Sequence, residues 1–169
     1  MAQIYENIAI IGMGLIGASI ALATKRAGLA AHICGCDTSS DVGANVLELG
    51  LVDQFESDPC DAVKDADLVV MAVPVGVMAD LSARIVPQMK AGATLTDTGS
   101  TKRSVVRDVS PNINADVHFV PSHPLAGTEH SGPAAGFAEL FDGRYWLVLP
   151  LDVPDEVVTR FEVFVTGLG

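Results

Sequence analysis

Residues 7–17 read NIAIIGMGLIG, a short β-branched apolar run that passes directly into three glycines spaced G-x-G-x-x-G. The run has the composition of a buried strand, and an amphipathic segment near 15 to 27 follows at once. A strand-to-helix turn is the context that gives this spacing its meaning. Gly12 permits the tight turn, Gly14 leaves room for a pyrophosphate to approach the backbone, and Gly17 lets helix and strand pack closely. Met13, Leu15 and Ile16 complete the loop. The helix amino terminus then offers unpaired N–H groups and a partial positive charge to phosphates. A glycine-rich turn that binds nothing carries the same local pattern, so the reading needs a second feature.

Asp37 supplies it. This residue closes the apolar run AHICGCD (residues 31–37), 20 positions after Gly17, where a carboxylate can accept hydrogen bonds from the ribose hydroxyls of a dinucleotide. The same carboxylate repels a 2′-phosphate, and Thr38-Ser39-Ser40 adds no arginine to receive one, so NAD is favoured over NADP. The simpler alternative for Asp37 is a cap on a helix near 40 to 49.

Outward from this pair, strand-like and helix-like segments alternate. DLVVMAV (67–73), a helix near 75 to 89, TLTD (94–97), a helix near 101 to 109 and VHFV (117–120) precede a polar loop. A short helix near 134 to 140, the strand YWLVLP (145–150) and a last helix from about Pro154 follow it. Such βαβ alternation predicts an α/β fold of the Rossmann type: a doubly wound, mainly parallel sheet with helices on both faces, forming one domain over residues 1–169. Val73 and Pro74 fall at the carboxyl edge of the sheet and are expected against the adenosine side of the cofactor, although a bare strand-ending turn fits them too. The ending FEVFVTGLG reads as a helix and a turn with no strand after it, the pattern of a piece of something longer.

Ten Lys and Arg against 21 Asp and Glu leave a formal charge of −11, which repels nucleic acid and anionic membrane surfaces alike. An anionic substrate would therefore need the few basic residues focused at its site. Lys, Arg, Asp or Gly interrupts every apolar run, and MAQIYENIAIIG lacks the pattern of a secretory signal, so a cytoplasmic protein is expected. Cys34, Cys36 and Cys60 lack the second pair or neighbouring histidine of a zinc set, and core packing as free thiols is the expectation, with no metal site.

Two polar stretches lie at the same sheet edge. In Asp97-Thr98-Gly99-Ser100-Thr101-Lys102, Ser100 or Thr101 is placed to cap the next helix, a role compatible with lining a pocket, and Lys102 is expected in solvent. In PSHPLAGTEHSG (121–132), His123 follows a strand and is aimed at the edge that carries Gly14 and Ser100. Imidazole keeps one acceptor nitrogen in either neutral tautomer, which suits a hydroxyl losing its proton while its carbon loses hydride. A histidine satisfied by backbone at a turn is the competing reading. His118 reads as a strand residue and His130 as a solvated loop residue; Glu129 either faces water or pairs with a basic group elsewhere.

Taken together, IIGMGLIGASIA, VVMAVPV, TLTDTGSTK, HPLAGTEHSG and AAGFAELFDGRYWLVLP resemble the amino-terminal half of the prephenate and arogenate dehydrogenase family of tyrosine biosynthesis, across nearly all 169 residues. HPLAGTEHSG followed by LFDGRYW carries the likeness far more specifically than the glycine loop does. The resemblance implies hydride transfer from prephenate or arogenate to NAD or NADP with loss of carbon dioxide. It implies that His123 polarises or deprotonates the ring hydroxyl, that Ser100 helps orient that histidine, and that Thr128 and Glu129 lie close to the substrate. It further implies a following helical domain, not present here, that forms a homodimer and supplies an arginine for the substrate's carboxylates. A non-catalytic NAD-binding module would need the glycines and Asp37 but not His123 and Ser100 on one edge.

Overall fold

The computed structural model describes residues 3–169. Six strands form one parallel sheet: β1 (Tyr5–Ile11), β2 (Ala30–Cys36), β3 (Gln54–Glu56), β4 (Leu68–Met71), β5 (Thr94–Asp97) and β6 (His118–Val120). Their spatial order is β3-β2-β1-β4-β5-β6. The direction of winding reverses between β1 and β4, so a crevice opens beyond the carboxyl ends of these two strands. The doubly wound α/β fold expected from the alternation is the fold observed.

Successive strand residues point to opposite faces, and each face buries its own core. Ile8, Ile10, Ile33, Leu68 and Val70 face α1 (Leu15–Ala27) and α6 (Asp155–Leu168), joined there by Phe161 and Phe164. Ala9, Ile11, Cys34, Val69 and Met71 face the opposite way, toward α4 (Met78–Ile85) and α5 (Lys102–Val109). With about 1.5–3 kcal/mol gained per fully buried large aliphatic or aromatic side chain, the two layers are the main source of stability. α2 (Ser40–Glu48) begins at Ser39, whose hydroxyl accepts from the Val42 N–H, and α3 (Pro59–Ala62) begins at Asp58, whose carboxylate accepts from the Cys60 N–H. Among the described residues no helix is long and apolar enough to cross a membrane.

Several details depart from the expectations. β3 and α3 fall where no element was anticipated, and the helix foreseen over 75 to 89 is an α-helix with a 3₁₀ turn at each end. The short helix expected near 134 to 140 is a single 3₁₀ turn, Pro133–Ala135. The polar loop does not leave the sheet as a loop. Pro121 has no N–H for a ladder, and the chain turns away there to form β7 (Ser122–Pro124), which pairs antiparallel with β8 (Trp146–Val148) in a separate two-stranded ribbon. YWLVLP therefore supplies a ribbon strand rather than a member of the main sheet.

Both core cysteines are thiols held in their protonated form. Burial pushes Cys34 up to about 11 and Cys36 up to about 12. Since the thiolate is the nucleophile, alkylation of the native protein at mildly alkaline pH is expected to label Cys60 and spare Cys34 and Cys36. Mass spectrometry of the digested product checks this, with all three sites labelled only after unfolding.

Candidate active site

β1 delivers the glycine loop to the crevice. Gly12 takes φ +94, and its N–H donates to the Cys36 carbonyl at 2.8 Å, tying the loop to the end of β2. An added Cβ there would lie 2.4 Å from the Ala72 oxygen, so the end of β4 closes the turn from the other side. Gly17 presses the first turn of α1 onto the loop, where a Cβ would meet the Gly12 oxygen at 2.0 Å. Gly14, by contrast, has nothing within 4 Å of an added Cβ, so its open side is left for an approaching group. It is also the N-cap of α1 and offers no side chain to that turn, which keeps the first N–H groups available to an anion.

Asp37 lies one residue past β2 and grips this loop. Its Oδ2 accepts from the Met13 N–H at 3.0 Å and its Oδ1 from the Ser39 N–H at 3.1 Å. A carboxylate has about four acceptor positions, so capacity remains for two ribose hydroxyls. The helix cap itself is Ser39, which removes the simpler alternative for Asp37.

These residues border a cavity of about 800 Å³ at the sheet's switch point. Gly12, Gly14, Asp37, Thr38, Val73 and Pro74 are among the residues that line it. The side chains of Met13 and Leu15 are buried in the core and Gly17 packs beneath the loop, while Ile16 lies half-buried; none of the four lines the cavity. Four polar residues were not foreseen: Ser57, Asp58, Asp80 and Arg84. They come from loops and from α4, and nothing in their local sequence signals that the fold brings them together. Arg84 is turned toward Asp58 at 3.4 Å, leaving three carboxylates and one engaged guanidinium around the cavity. The glycine cradle, the open helix terminus and the Asp37 carboxylate, with acceptor capacity to spare, together fit a dinucleotide.

The second half of the site stands where β5 and the ribbon meet. His123 is half-buried on β7, and its Nδ1 lies 3.0 Å from the Thr98 carbonyl. A carbonyl only accepts, so Nδ1 carries a proton, and in the neutral ring Nε2 is then the acceptor nitrogen. The orienting contact expected from Ser100 comes instead from Thr98. Among the described residues the Ser100 hydroxyl, exposed at the mouth of α5, has no hydrogen-bond partner, and α5 begins at Thr101 without a side-chain cap.

Lys102 is the clearest correction. Only 12% of its side chain is exposed; its ammonium donates to the Asp97 carboxylate and, at 2.6 Å, to the Ser122 carbonyl. Asp97 is fully buried at the end of β5 and also receives the Gly99 N–H at 2.8 Å and the Ser122 N–H at 3.2 Å. Burial pushes its carboxyl up and pushes the Lys102 ammonium down, each opposed by the attraction of the other.

Thr128 borders a smaller cavity of about 360 Å³ with Leu125, Phe137 and Arg144, while Glu129 stands in solvent beside His130 at 3.6 Å. Among the described residues, Arg103 and Arg144 are the basic side chains with no acidic, carbonyl or ring partner; the other Lys and Arg are engaged.

Comparison with known proteins places this geometry. Residues 20–168 match the family described as prephenate dehydrogenase, nucleotide-binding domain. The cyclohexadienyl dehydrogenase of Zymomonas mobilis is 43% identical over 147 residues, covering 87% of this chain and 50% of that protein. The prephenate dehydrogenase of Bacillus subtilis is 34% identical over 151 residues, covering 89% of this chain and 41% of that protein. The chain thus spans about half the length of these relatives or less. Among solved structures, prephenate dehydrogenase from A. aeolicus, in complex with hydroxyphenyl propionate and NAD+, superposes with a TM-score of 0.88 at 26% identity, over 97% of this chain and 57% of that one.

The glycines separate stability from binding. Gly17→Ala forces backbone atoms apart and is expected to cost about 3 kcal/mol, read as a lower melting temperature. Gly14→Ala meets nothing in the protein and should keep the melting temperature while weakening dinucleotide binding in a calorimetric titration.

Proposed function

The chain belongs to the prephenate dehydrogenase family, and we propose that it is the cofactor-binding half of an enzyme that oxidatively decarboxylates prephenate, arogenate or both with NAD as the acceptor. The observation that carries this reading is that the cleft lies beyond the carboxyl ends of β1 and β4 while His123, with Nε2 as its acceptor nitrogen, stands against Thr98 just past the carboxyl end of β5. When bound, the dinucleotide supplies the hydride acceptor.

His123 takes a hydrogen bond from the ring hydroxyl at Nε2 and draws off its proton as the carbon bearing it is oxidised; release of carbon dioxide leaves the ring aromatic. Thr98 holds the ring of His123 through Nδ1, which preserves Nε2 as the base. Thr128 borders the smaller cavity that follows β7 and is assigned to the substrate side in this reading, and Ser100 presents a free hydroxyl at the start of α5. Arg144 stands beside Thr128 as an uncommitted cation, a partner for an anionic substrate in a strongly acidic protein. Groups from a helical, dimer-forming domain outside these residues complete the substrate site in this reading, so the 169-residue chain should turn over prephenate slowly or not at all. Appearance of the reduced nicotinamide's absorbance measures this.

The preference for NAD rests on charge. Asp37, Asp58 and Asp80 surround the cavity, and its one guanidinium already faces Asp58, which leaves a 2′-phosphate without a cation. NAD is expected to bind more tightly than NADP in parallel titrations, and Asp37→Ala to narrow the gap; tighter binding of NADP by the unaltered chain refutes the assignment.

For catalysis, His123→Asn in the enzyme carrying this domain should lower kcat by about 10²–10⁴ while leaving NAD affinity close to native. Turnover at the native rate would show that another group is the base.

A further inference from the structure

We infer that Asp97 is the positioning residue that sets the tautomer and place of His123, with Lys102 as the counter-charge that lets it do so. The base role of His123 rests on the function proposed above; the positioning role stands on geometry alone.

The ring of His123 and the carbonyl of Thr98 meet at 3.0 Å, and each sits one residue from a group fastened to the same carboxylate. On one side, Oδ2 of Asp97 holds the N–H of Gly99, the residue after Thr98, at 2.8 Å. On the other, Oδ1 holds the N–H of Ser122, the residue before His123, at 3.2 Å. Lys102 closes the ring by donating to both the carboxylate and the Ser122 carbonyl. The Ser122 hydroxyl donates to the Asp97 carbonyl at 2.8 Å and accepts from the Trp146 indole at 3.0 Å. Ser122 is therefore fixed at its N–H, its carbonyl and its side chain, and the backbone on which His123 rides cannot turn without breaking several buried bonds.

The carboxylate is suited to this by chemistry. Two oxygens with several lone pairs can receive two peptide N–H groups and an ammonium at once, which no amide can do. Asparagine at this position would turn an NH₂ toward one of the donors and leave a buried group unpaired. The lysine supplies the charge that keeps a fully buried Asp97 ionised, and hence acceptor-only. Held in this way, the Thr98 carbonyl always faces Nδ1, so the proton stays there and Nε2 remains the acceptor.

The test reads the tautomer directly, without cofactor or substrate. Long-range ¹H–¹⁵N spectra of the 169-residue chain, taken where the imidazole is neutral, should show His123 as a single species protonated at Nδ1. Asp97→Asn and Lys102→Met should each replace it with a mixture of tautomers. Phe164→Leu, a core substitution on α6, should lower the melting temperature yet leave the tautomer unchanged. If the unsubstituted chain carries its proton on Nε2, or if the Asp97 and Lys102 variants lose stability but keep the single Nδ1–H species, the inference is wrong. Should Asp97→Asn not fold, the Lys102→Met and unsubstituted spectra decide. Failure of NAD to bind would count against the proposed function and leave this result standing.

Discussion

The fold hangs on one close approach: the first turn of α1 rests directly on the Gly12 carbonyl, with only a hydrogen at Gly17 between them. β1 lies inside the sheet, paired on one side with β2 and on the other with β4, so its exit fixes the geometry of both halves. Because α1 starts that close, its buried face, from Leu15 through Ile20 to Thr24, lies flat on the sheet and joins the layer completed by Phe161 and Phe164. The tight contact and the crevice are thus one arrangement. A helix that began farther away would leave its first N–H groups out of reach of the switch point and would thin the core beneath them.

A second constraint comes from charge. The chain carries −11, and nearly every cation is spent on an internal partner: Lys25 on Asp53, Arg26 on Asp142, Lys90 on Asp67, Lys102 on Asp97. The first three, at the surface, add little stability, about 0–1 kcal/mol each. Their effect on the field is larger, since each neutralises a cation that would otherwise attract anions indiscriminately. What remains for a small anion is local, at the open terminus of α1 and at Arg103 and Arg144, against a repulsive background that disfavours polyanions.

How much of this the sequence discloses depends on how local the cause is. The glycine loop, Asp37 and the alternation of elements are legible because each rests on chemistry within one short segment, and the crevice follows from them. β3 is opaque because three partly exposed residues, Gln54–Glu56, carry no period to detect. β7 is opaque because Ser122-His123-Pro124 reads as a turn, and its partner β8 begins 22 residues after it ends. Lys102 is mispredicted for the same reason. A lysine early in a helix belongs in water by default, and only the return of the chain at Ser122, 20 positions later, brings a carbonyl to it. The contact on His123 Nδ1 comes from the backbone carbonyl of Thr98, a group every residue has and no pattern marks.

The Asp97–Lys102 pair shows why such a feature is better understood through geometry than through stability. Removing two charges from water costs several kcal/mol per ion, and apolar residues of similar volume often replace a buried pair with no loss, or with a gain of about 1–4 kcal/mol. Apolar side chains here would leave the N–H groups of Gly99 and Ser122 and the carbonyl of Ser122 buried without partners, each an added penalty of about 1–3 kcal/mol. The ion pair is therefore tied to the path of the backbone: the chain can turn sharply out of β5 and out of β6 at the same place only if something there satisfies both turns. A carboxylate and an ammonium five residues apart do so, and the histidine held between the two turns inherits their rigidity.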